Sequence, residues 1–510
     1  MMKRNGWIML SATLLVYTVV AAFPAQGQAF KTFASFDDAN GAGPRAPLIQ
    51  GVDGDLYGTT TFGGNANCDM GCGTVFKITR RGNLTTIYTF CSQQNCPDGE
   101  YPYAGLALGA DGNLYGTTTS GGNANCNMGC GTIFKITPRG NLATIYSFCS
   151  QENCPDGEYP YAGLILGADG NFYGATYSGG NTNCEEAPYG CGTVFKITAG
   201  GVLTTLTSFT EQPGPLNPYT SPIQGMDGNL YGTSPNGGKY AYDECIYGCG
   251  TIFEMSPKGT VTVVFNFCPN YHCPSGGEPQ AGLIEATDGN FYGTTPYGGP
   301  NGGNTNRGGT VFKITPQGKL TTLYGFCAQP KCADGASSEG PLVQGTDGNF
   351  YGTTYAGGIN GYGTIFEITP SGTLTTLYNF CGQSGCTDGG DPNAGLIQAT
   401  DGKFYGTTYN GGDNVCTPNG CGTVFRLDIG LGPFVAFIRP FGKVGQTGGI
   451  LGQGFIGTSA VSVNGTPAPF TVKSATLIEA IIPPGATTGY VTVTTPTGVL
   501  TSNVPFHVIP

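Results

Sequence analysis

The sequence predicts an all-β fold, and three observations support this prediction. A motif of the form Asp-Gly-(Asn/Asp/Lys)-(Leu/Phe)-Tyr-Gly recurs at intervals of 54 to 61 residues. Apolar runs rich in Tyr and Thr alternate with turn residues, and no stretch of the repeat region has the 3.6-residue periodicity of a helix. The last part of the chain lacks the motif but keeps short runs rich in Val and Thr. The seven copies of the motif begin at Asp53, Asp111, Asp169, Asp227, Asp288, Asp347 and Asp401.

One repeat unit contains the signals of two hairpins. Residues 105–108 and 114–118 flank the turn Asp111-Gly112-Asn113, and residues 132–137 and 142–148 flank a Pro-Arg-Gly turn. Four short strands joined by two tight turns and longer loops predict a four-stranded antiparallel sheet. Repetition of such sheets around an axis gives a β-propeller, so residues 30–431 are predicted to form seven blades.

The two ends of the repeat region are complementary. The seventh unit ends after residues 422–427 without an outermost strand, and residues 30–36 match the outermost strand at 84–90. We therefore expect the N-terminal strand to complete the seventh blade, leaving no open sheet edge. A linear solenoid is the alternative, and it leaves this complementarity unexplained.

The N-terminus has the pattern of an export signal. Lys3 and Arg4 precede an apolar run over residues 7–23, and small residues frame a cleavage site before Phe30. We predict a signal peptide over residues 1–29 and a secreted or extracellular protein, with the periplasm as an alternative. An uncleaved N-terminal anchor is the other reading of this run. No later apolar run is long enough to span a bilayer, so we expect no membrane insertion after signal cleavage.

Charge excludes one class of partner. The chain has 21 basic and 32 acidic residues, a formal net charge of -11, and no basic cluster. Proteins that bind nucleic acid usually carry a basic patch. We expect no nucleic-acid partner.

The twenty cysteines fall into ten close neighbours, and an exported chain meets an oxidising compartment. We predict ten local disulfides that close surface loops. Structural zinc is the rival reading, but the usual C-x2-C spacing is absent and the chain has only two histidines. The predicted pairs are Cys68/Cys72, Cys91/Cys96, Cys126/Cys130, Cys149/Cys154, Cys184/Cys191, Cys245/Cys249, Cys268/Cys273, Cys327/Cys332, Cys381/Cys386 and Cys416/Cys421.

The segments Asp-Gly-Asn-Leu-Tyr-Gly-Thr-Thr, Gly-Thr-Val-Phe-Lys-Ile-Thr and Leu-Thr-Thr-Leu-Tyr resemble the GloVer repeat, which occurs in tandem in exported bacterial proteins. Residues 432–510 predict a separate immunoglobulin-like β-sandwich. They are similar to the IPT/TIG domain in the order of Pro440, Gly445, Gly452-Gln453-Gly454-Phe455, Val463, Ile482-Pro483 and Gly489-Tyr490-Val491. These resemblances imply an architecture and a compartment, and bring no catalytic residues or cofactor.

Acidic and aromatic residues gather in the loops that precede the predicted innermost strands. Acids beside aromatic rings suit sugars, while converging carboxylates also suit calcium or the acid–base pair of a glycosidase. A solvated acidic rim is the structural alternative. The candidate ligand-binding residues are Glu100, Tyr101, Tyr103, Glu158, Tyr159, Tyr161 and Glu278, and the candidate calcium ligands are Glu100, Glu158 and Asp391.

Nucleophilic catalysis is disfavoured because His272 and His507, the two histidines, lie in different predicted domains. The expected function is a secreted, non-catalytic binding protein for an extracellular polysaccharide or a surface protein. A carbohydrate-active enzyme, either glycosidase or lyase, that uses paired carboxylates at the channel mouth is one alternative. A structural matrix component is another.

Overall fold

The computed structural model describes residues 29–509 except 65–66, 123–125, 127–128, 182–189, 211–212, 243–244, 271, 302–307, 413–415 and 417–419. Residues 1–28 of the predicted signal peptide, and Cys184 of one predicted disulfide, lie outside the described residues. The described part of the chain has no helix long and apolar enough to cross a membrane.

The repeat region forms four-stranded antiparallel sheets that follow the motif copies in order, so the all-β prediction is confirmed. Within each sheet we number the strands from the innermost to the outermost. The strands are, for the first sheet, Ile49–Gln50, Leu56–Thr60, Thr74–Ile78 and Leu84–Thr89; for the second, Ala107–Leu108, Leu114–Thr118, Thr132–Ile136 and Leu142–Ser147; for the third, Ile165–Leu166, Phe172–Thr176, Thr193–Ile197 and Leu203–Ser208; for the fourth, Ile223–Gln224, Leu230–Ser234, Thr251–Met255 and Val261–Asn266; for the fifth, Ile284–Glu285, Phe291–Thr295, Thr310–Ile314 and Leu320–Gly325; for the sixth, Val343–Gln344, Phe350–Thr354, Thr364–Ile368 and Leu374–Asn379; and for the seventh, Ile397–Gln398, Phe404–Thr408, Thr423–Asp428 and Ala29–Ser35.

Short elements lie in the connecting loops. The strands Pro215–Leu216 and Asn236–Gly237 pair with each other, and two single-turn 3-10 helices occur in the described residues at Pro330–Cys332 and Ser384–Cys386.

The C-terminal part contains two further four-stranded sheets and one parallel pair around a single apolar core. Its strands are Ala436–Phe437, Phe441–Lys443, Thr447–Leu451, Ala460–Val463, Thr466–Pro467, Phe470–Val472, Leu477–Ile481, Val491–Thr495, Gly498–Thr501 and His507–Ile509.

The repeated motif builds the first hairpin of each unit. In the second unit, Asp111 accepts hydrogen bonds from the Asn113 backbone N–H at 3.1 Å and the Tyr115 hydroxyl at 2.9 Å. The motif glycine, Gly116, leaves room for a neighbouring ring, since a Cβ there would lie 2.5 Å from Phe134. The motif aspartate of this unit therefore stabilises its own turn and the tyrosine four residues later, which agrees with a structural role.

A repeated phenylalanine contact joins each sheet to the next. The residue after each outermost strand is a phenylalanine that packs edge-on or tilted against a phenylalanine in the third strand of the following sheet, with ring centroids 5.0 to 5.6 Å apart. The contacts join Phe90 with Phe134, Phe148 with Phe195, Phe209 with Phe253, Phe267 with Phe312, Phe326 with Phe366, Phe380 with Phe425, and Phe36 with Phe76. The last of these contacts returns from the seventh sheet to the first. The fold is therefore β-propeller-like.

The N-terminal strand completes the seventh sheet, as the sequence predicts. Strand Ala29–Ser35 lies antiparallel to Thr423–Asp428 at the outer edge of that sheet, with Phe30 opposite Leu427. The ring of Phe30 also stacks on Tyr378 of the sixth sheet, with centroids 3.6 Å apart. At the inner edge, the Gln50 amide exchanges two 2.9 Å hydrogen bonds with Thr400. Both edges of the seventh sheet are thus tied to neighbouring units.

In other units, a glutamine at the end of the innermost strand forms a similar hydrogen bond to the neighbouring unit. In the fourth, sixth and seventh units, the glutamine accepts a backbone N–H from the turn of the preceding unit. The fifth unit has Glu285 at this position, and its carboxylate accepts the N–H of Met226 at 3.0 Å. Burial, countered by this hydrogen bond, raises the pKa of Glu285 to about 7.

The C-terminal part packs on the face that carries the Asp-Gly turns. Thr476 donates to the Val52 carbonyl at 2.8 Å, and Arg439 donates to the Ala168 carbonyl at 3.0 Å. Leu451 joins the apolar cluster shared by the first and second sheets. The opposite face carries the cysteine pairs, and we call it the disulfide face.

Removal of the N-terminal strand tests ring closure. Deletion of residues 30–36 should lower the melting temperature or cause oligomerisation, since it exposes the edge of Thr423–Asp428. Phe36→Ala should destabilise by about 3–5 kcal/mol because Phe36 is fully buried. Lys31→Ala, on the exposed side of the same strand, should change stability by less than about 1 kcal/mol. Thermal denaturation and size-exclusion chromatography provide the readouts, and an unchanged melting curve for the deletion would contradict closure.

Glu285 makes stability depend on pH. Its pKa is about 7 in the folded chain and lies near its ordinary value in the unfolded chain, so the folded state is favoured when this group is protonated and loses stability as pH rises from about 4.5 to 7. Glu285→Gln should therefore stabilise the protein by about 1–2 kcal/mol at pH 8 and hardly at all at pH 4.5. The reverse change at the equivalent position, Gln344→Glu, should destabilise at pH 8. Equal effects of Glu285→Gln at the two pH values in thermal denaturation would refute this account.

Candidate functional site

Seven equivalent loops meet on the disulfide face. In each unit, the side chain four residues before the innermost strand lines one common cavity of about 340 Å³. We call these seven residues the mouth ring, and their identities differ from unit to unit although the strands that follow them are alike. The mouth ring consists of Arg45, Tyr103, Tyr161, Tyr219, Gln280, Glu339 and Asn393.

Left-handed backbone fixes the direction of each loop. The residue two positions before each mouth-ring residue has a φ between 51° and 60°. Such values are uncommon outside glycine and often occur at functional sites. These residues are Gly43, Tyr101, Tyr159, Asn217, Glu278, Ser337 and Asp391.

The disulfides brace these loops. Nine of the predicted pairs are bonded as expected, and no described cysteine is free. The carbonyl of Cys72 accepts the N–H of Tyr101 at 2.9 Å, and the carbonyl of Cys130 accepts that of Tyr159 at 3.0 Å. Each of these hydrogen bonds joins a cysteine of one unit to a left-handed residue of the next unit. The disulfide that closes the cysteine loop therefore also helps to hold the mouth-ring loop of the following unit.

Several of these disulfides reach into the core of the repeat region. The second cysteine of four pairs is 0% exposed and belongs to an apolar cluster of the repeat region. The first cysteine, where the structure describes it, is half-buried in these pairs. The four cysteines that are 0% exposed are Cys72, Cys130, Cys191 and Cys421.

The position of these cysteines explains their burial. Each lies two residues before the third strand of its sheet, where the chain enters the packed region between neighbouring units. The carbonyl of Cys191 accepts the N–H of Asn217 at 2.9 Å, and that of Cys421 accepts the N–H of Gly43 at 2.9 Å. Cys191 is disulfide-bonded, although its predicted partner lies outside the described residues. These disulfides therefore anchor exposed loops to the core.

Four tyrosines form a cluster on one side of the cavity. Tyr161 stacks on Tyr219 with centroids 5.1 Å apart, and Tyr103 meets Tyr161 edge to face at 5.2 Å. Tyr177 lies in the third unit, in the loop between the second and third strands, and its ring contacts the rings of both Tyr161 and Tyr219. Burial raises the pKa values of Tyr161, Tyr177 and Tyr219, so these phenols stay neutral at physiological pH.

Arg45 lies between two tyrosine rings at the mouth. Its guanidinium carbon is 5.0 Å from the Tyr103 ring and 4.3 Å from the Tyr409 ring, and Nη1 donates to the Tyr103 hydroxyl at 3.0 Å. These contacts hold the cation beside the tyrosine cluster.

Amide and carboxyl groups complete the mouth ring. Asn393 donates to Glu339 through its side-chain amide, and burial raises the pKa of Glu339. Nearby, Asp391 accepts from the Asn410 amide at 2.7 Å, and burial raises its pKa as well. The negative charge of Asp391 contributes to the raised pKa of Glu339, so the two carboxyls interact.

Of the seven candidate ligand residues from the sequence, Tyr103 and Tyr161 line the cavity. Tyr101 and Tyr159 occupy the left-handed positions just outside it, and Tyr101 packs edge-on against Phe62. Glu278 occupies the same left-handed position in its unit, and burial raises its pKa to about 7.

Glu100 and Glu158 point to the disulfides and not to the mouth. One carboxylate oxygen of Glu158 lies 3.2 Å from Cys126 Sγ, and one of Glu100 lies 3.1 Å from Cys68 Sγ. Burial raises the pKa of both glutamates, which favours their neutral forms against sulfur atoms that carry no proton.

Four further acids of these loops are structural. Asp98, Asp156, Asp334 and Asp388 are each less than a tenth exposed, and each accepts a 2.8 Å hydrogen bond from the hydroxyl of a tyrosine ten residues earlier. In each of these four pairs, the aspartate is thus accompanied by a tyrosine ten residues earlier in the chain. The acids of the loops therefore do not form one solvated rim.

The structure does not bring the three candidate calcium ligands together. Glu158 groups with Cys126, Cys130, Cys149 and Cys154, and Glu100 groups with Cys68, Cys91 and Cys96. The cysteines of both groups are disulfide-bonded and offer no thiolate to a metal. In the described part of the chain, no group of three or more metal-ligating side chains consists of carboxylates alone.

The sequence matches one known protein family. The profile of the Gloeobacter/Verrucomicrobia repeat matches residues 17–187, 130–333 and 301–454. The chain belongs to this family. A comparison with curated protein sequences gives no match to this member of the Gloeobacter/Verrucomicrobia repeat family.

Solved structures resemble this Gloeobacter/Verrucomicrobia repeat protein only distantly. An auxiliary nutrient binding protein from Bacteroides thetaiotaomicron VPI-5482 has a TM-score of 0.40 at 12% identity, over 79% of this chain and 76% of that protein. A luciferin-regenerating enzyme has a TM-score of 0.37 at 10% identity, over 80% of this chain and 98% of that enzyme. These similarities are too weak to indicate an activity or a ligand.

Asp388 tests the structural assignment of the buried acids. It accepts hydrogen bonds from the Tyr378 hydroxyl and from two backbone N–H groups, of Gly382 and Gln383. Asp388→Ala should lower the free energy of unfolding by about 2–4 kcal/mol, because it leaves buried donors unpaired. Asp69→Ala, at an exposed position, should cost less than about 0.5 kcal/mol. Urea denaturation measures both, and equally small losses would refute the structural role.

Proposed function

We propose that this chain is an exported, non-catalytic binding protein that takes a saccharide chain at the mouth ring. The binding body is a seven-bladed β-propeller over residues 30–431, and residues 432–510 are an immunoglobulin-like domain of the IPT/TIG type. The closing phenylalanine contact and the N-terminal strand in the seventh sheet support the propeller. Two four-stranded sheets around one core support the immunoglobulin-like assignment.

Export is supported by the cysteine chemistry and by the N-terminal sequence. Local disulfides persist in oxidising compartments and are rare in the cytosol. The paired cysteines of the described residues therefore fit an extracellular or periplasmic protein, and residues 1–29 have the pattern of a signal peptide.

The observation that carries the binding proposal is the tyrosine cluster beside the cavity. Tyr103, Tyr161 and Tyr219 belong to consecutive units and offer aromatic surface to one space. Apolar ring faces pack on the C–H faces of sugars, and a few placed polar groups fix their orientation. Gln280 and Asn393, across the mouth ring, supply amide groups of the kind that bind hydroxyls.

A carbohydrate-active enzyme is the second candidate, and the coupled carboxyls Glu339 and Asp391 favour it. A glycosidase needs one protonated and one ionised carboxyl on either side of the scissile bond. Release of new reducing ends from a polysaccharide, abolished by Glu339→Gln, would select this candidate over simple binding.

A glycan array tests the binding function, with calcium and with a chelator in parallel. Tyr161→Ala and Tyr219→Ala should each weaken a positive signal at least about tenfold in a calorimetric titration, which corresponds to about 1.4 kcal/mol. Tyr490→Ala, an exposed tyrosine of the C-terminal part, should leave the affinity unchanged.

Two results would contradict the binding proposal. Affinity that survives both mouth-ring substitutions would place the ligand elsewhere on the molecule. An array without any signal in either condition would favour a surface-protein partner or a structural matrix role.

A further inference from the structure

Arg45 is the only basic residue among the described residues that line the cavity. The chain as a whole carries a net charge of -11, so the cavity has a positively charged side chain although the protein is acidic overall. It comes from the first unit and lies next to Tyr103 of the second.

The guanidinium of Arg45 is held firmly but incompletely satisfied. Nη1 donates to the Tyr103 hydroxyl, and the ring centroids of Tyr103 and Tyr409 lie 5.0 and 4.3 Å from the guanidinium carbon. Nε is buried and has no hydrogen-bond partner. In the described part of the chain, Arg45 forms no ion pair with any carboxylate.

An unpaired cation and an unpaired buried donor both cost free energy. Glu339, the acid in the same cavity, accepts a hydrogen bond from Asn393 and forms no ion pair with Arg45, although the charge of Arg45 opposes the rise in the pKa of Glu339 that burial causes. The described part of the protein thus supplies aromatic neighbours for Arg45 but no carboxylate in direct contact with it.

We propose that the saccharide bound at the mouth ring is anionic and that its carboxylate pairs with Arg45. A guanidinium offers parallel N–H donors in a fork that matches the two oxygens of a carboxylate. A uronic acid residue would place such a carboxylate at Arg45 while a neighbouring sugar packs on Tyr161 and Tyr219. This inference rests on the proposed binding function and adds the ligand class.

The alternative is that Arg45 has only a structural role and packs against the rings of Tyr103 and Tyr409 without binding a ligand. Two substitutions separate the roles. Arg45→Lys keeps the positive charge without the fork, and Arg45→Gln removes the charge while keeping a polar side chain of similar reach. Thermal denaturation of each variant shows whether the mouth ring is still folded.

The decisive experiment compares hexagalacturonate with its fully methyl-esterified form, which keeps the sugar rings and removes the negative charge. The wild-type protein should bind the acid form at least tenfold more tightly, and added NaCl should reduce the difference. Arg45→Gln should abolish the preference, and Arg45→Lys should retain part of it. Alginate oligosaccharides provide a second acidic probe with different sugars.

The outcomes distinguish this inference from the function on which it rests. Equal binding of acid and ester by the wild type, or an unchanged preference in folded Arg45→Gln, overturns the anionic ligand. Binding of a neutral glycan that depends on Tyr161, with no acid preference, also overturns it and leaves the binding function standing. Failure to bind any glycan overturns both.

Discussion

The structure depends on the closure of its ring of sheets. Each sheet of the repeat region buries apolar side chains on both faces, so it needs a neighbour on each side. In an open row, the first and last sheets would each expose a face of large aromatic residues. The strand Ala29–Ser35 prevents this by completing the seventh sheet and placing Phe36 against Phe76 of the first. One short segment thereby pairs with the open edge of the seventh sheet and fills the interface between the seventh and first sheets.

Ring closure also creates the candidate site. The mouth ring draws one residue from every unit, and Arg45 meets Tyr409 only because the first and seventh units are adjacent. The scaffold positions, such as the packing phenylalanines, hardly vary between units, whereas the mouth-ring residues include a cation, three phenols, two amides and an acid. A symmetric framework therefore presents an asymmetric surface, which is how one fold can serve different ligands. In five of the seven units, the carbonyl of a disulfide-bonded cysteine in the preceding unit accepts a hydrogen bond from the loop backbone and so holds the loop in place.

Local features of the fold could be predicted from the sequence, because their causes are local. The Asp-Gly turns, the alternation of residues 114–118 and the spacing of the cysteine pairs depend on neighbours a few residues away. The closing strand was predictable because residues 30–36 repeat a pattern found at 84–90. Asp388 could have been assigned to the framework as well, since a tyrosine accompanies such an aspartate ten residues earlier. The burial of Cys191 and Cys421 was not predictable from spacing, because it depends on packing between units.

The candidate site was only partly predictable. Tyr103 and Tyr161 were identified by their position in acidic loops, but Arg45, Gln280 and Asn393 were missed because their residue types differ. Their common signal is the spacing of four residues before each innermost strand. Glu100 and Glu158 illustrate the opposite problem. They are near the mouth in sequence, but the β-bridges at these residues direct their side chains to the disulfides.

Hydrogen–deuterium exchange of the purified protein tests the central claim, closure of the ring by the N-terminal strand, most directly. The amides of Thr32–Ser35 and of the facing strand Thr423–Asp428 should be protected to a degree comparable with the interior strand Leu114–Thr118. Exchange of the N-terminal segment within seconds, with Thr423–Asp428 behaving as a free edge, would contradict closure and with it the mouth ring that closure builds.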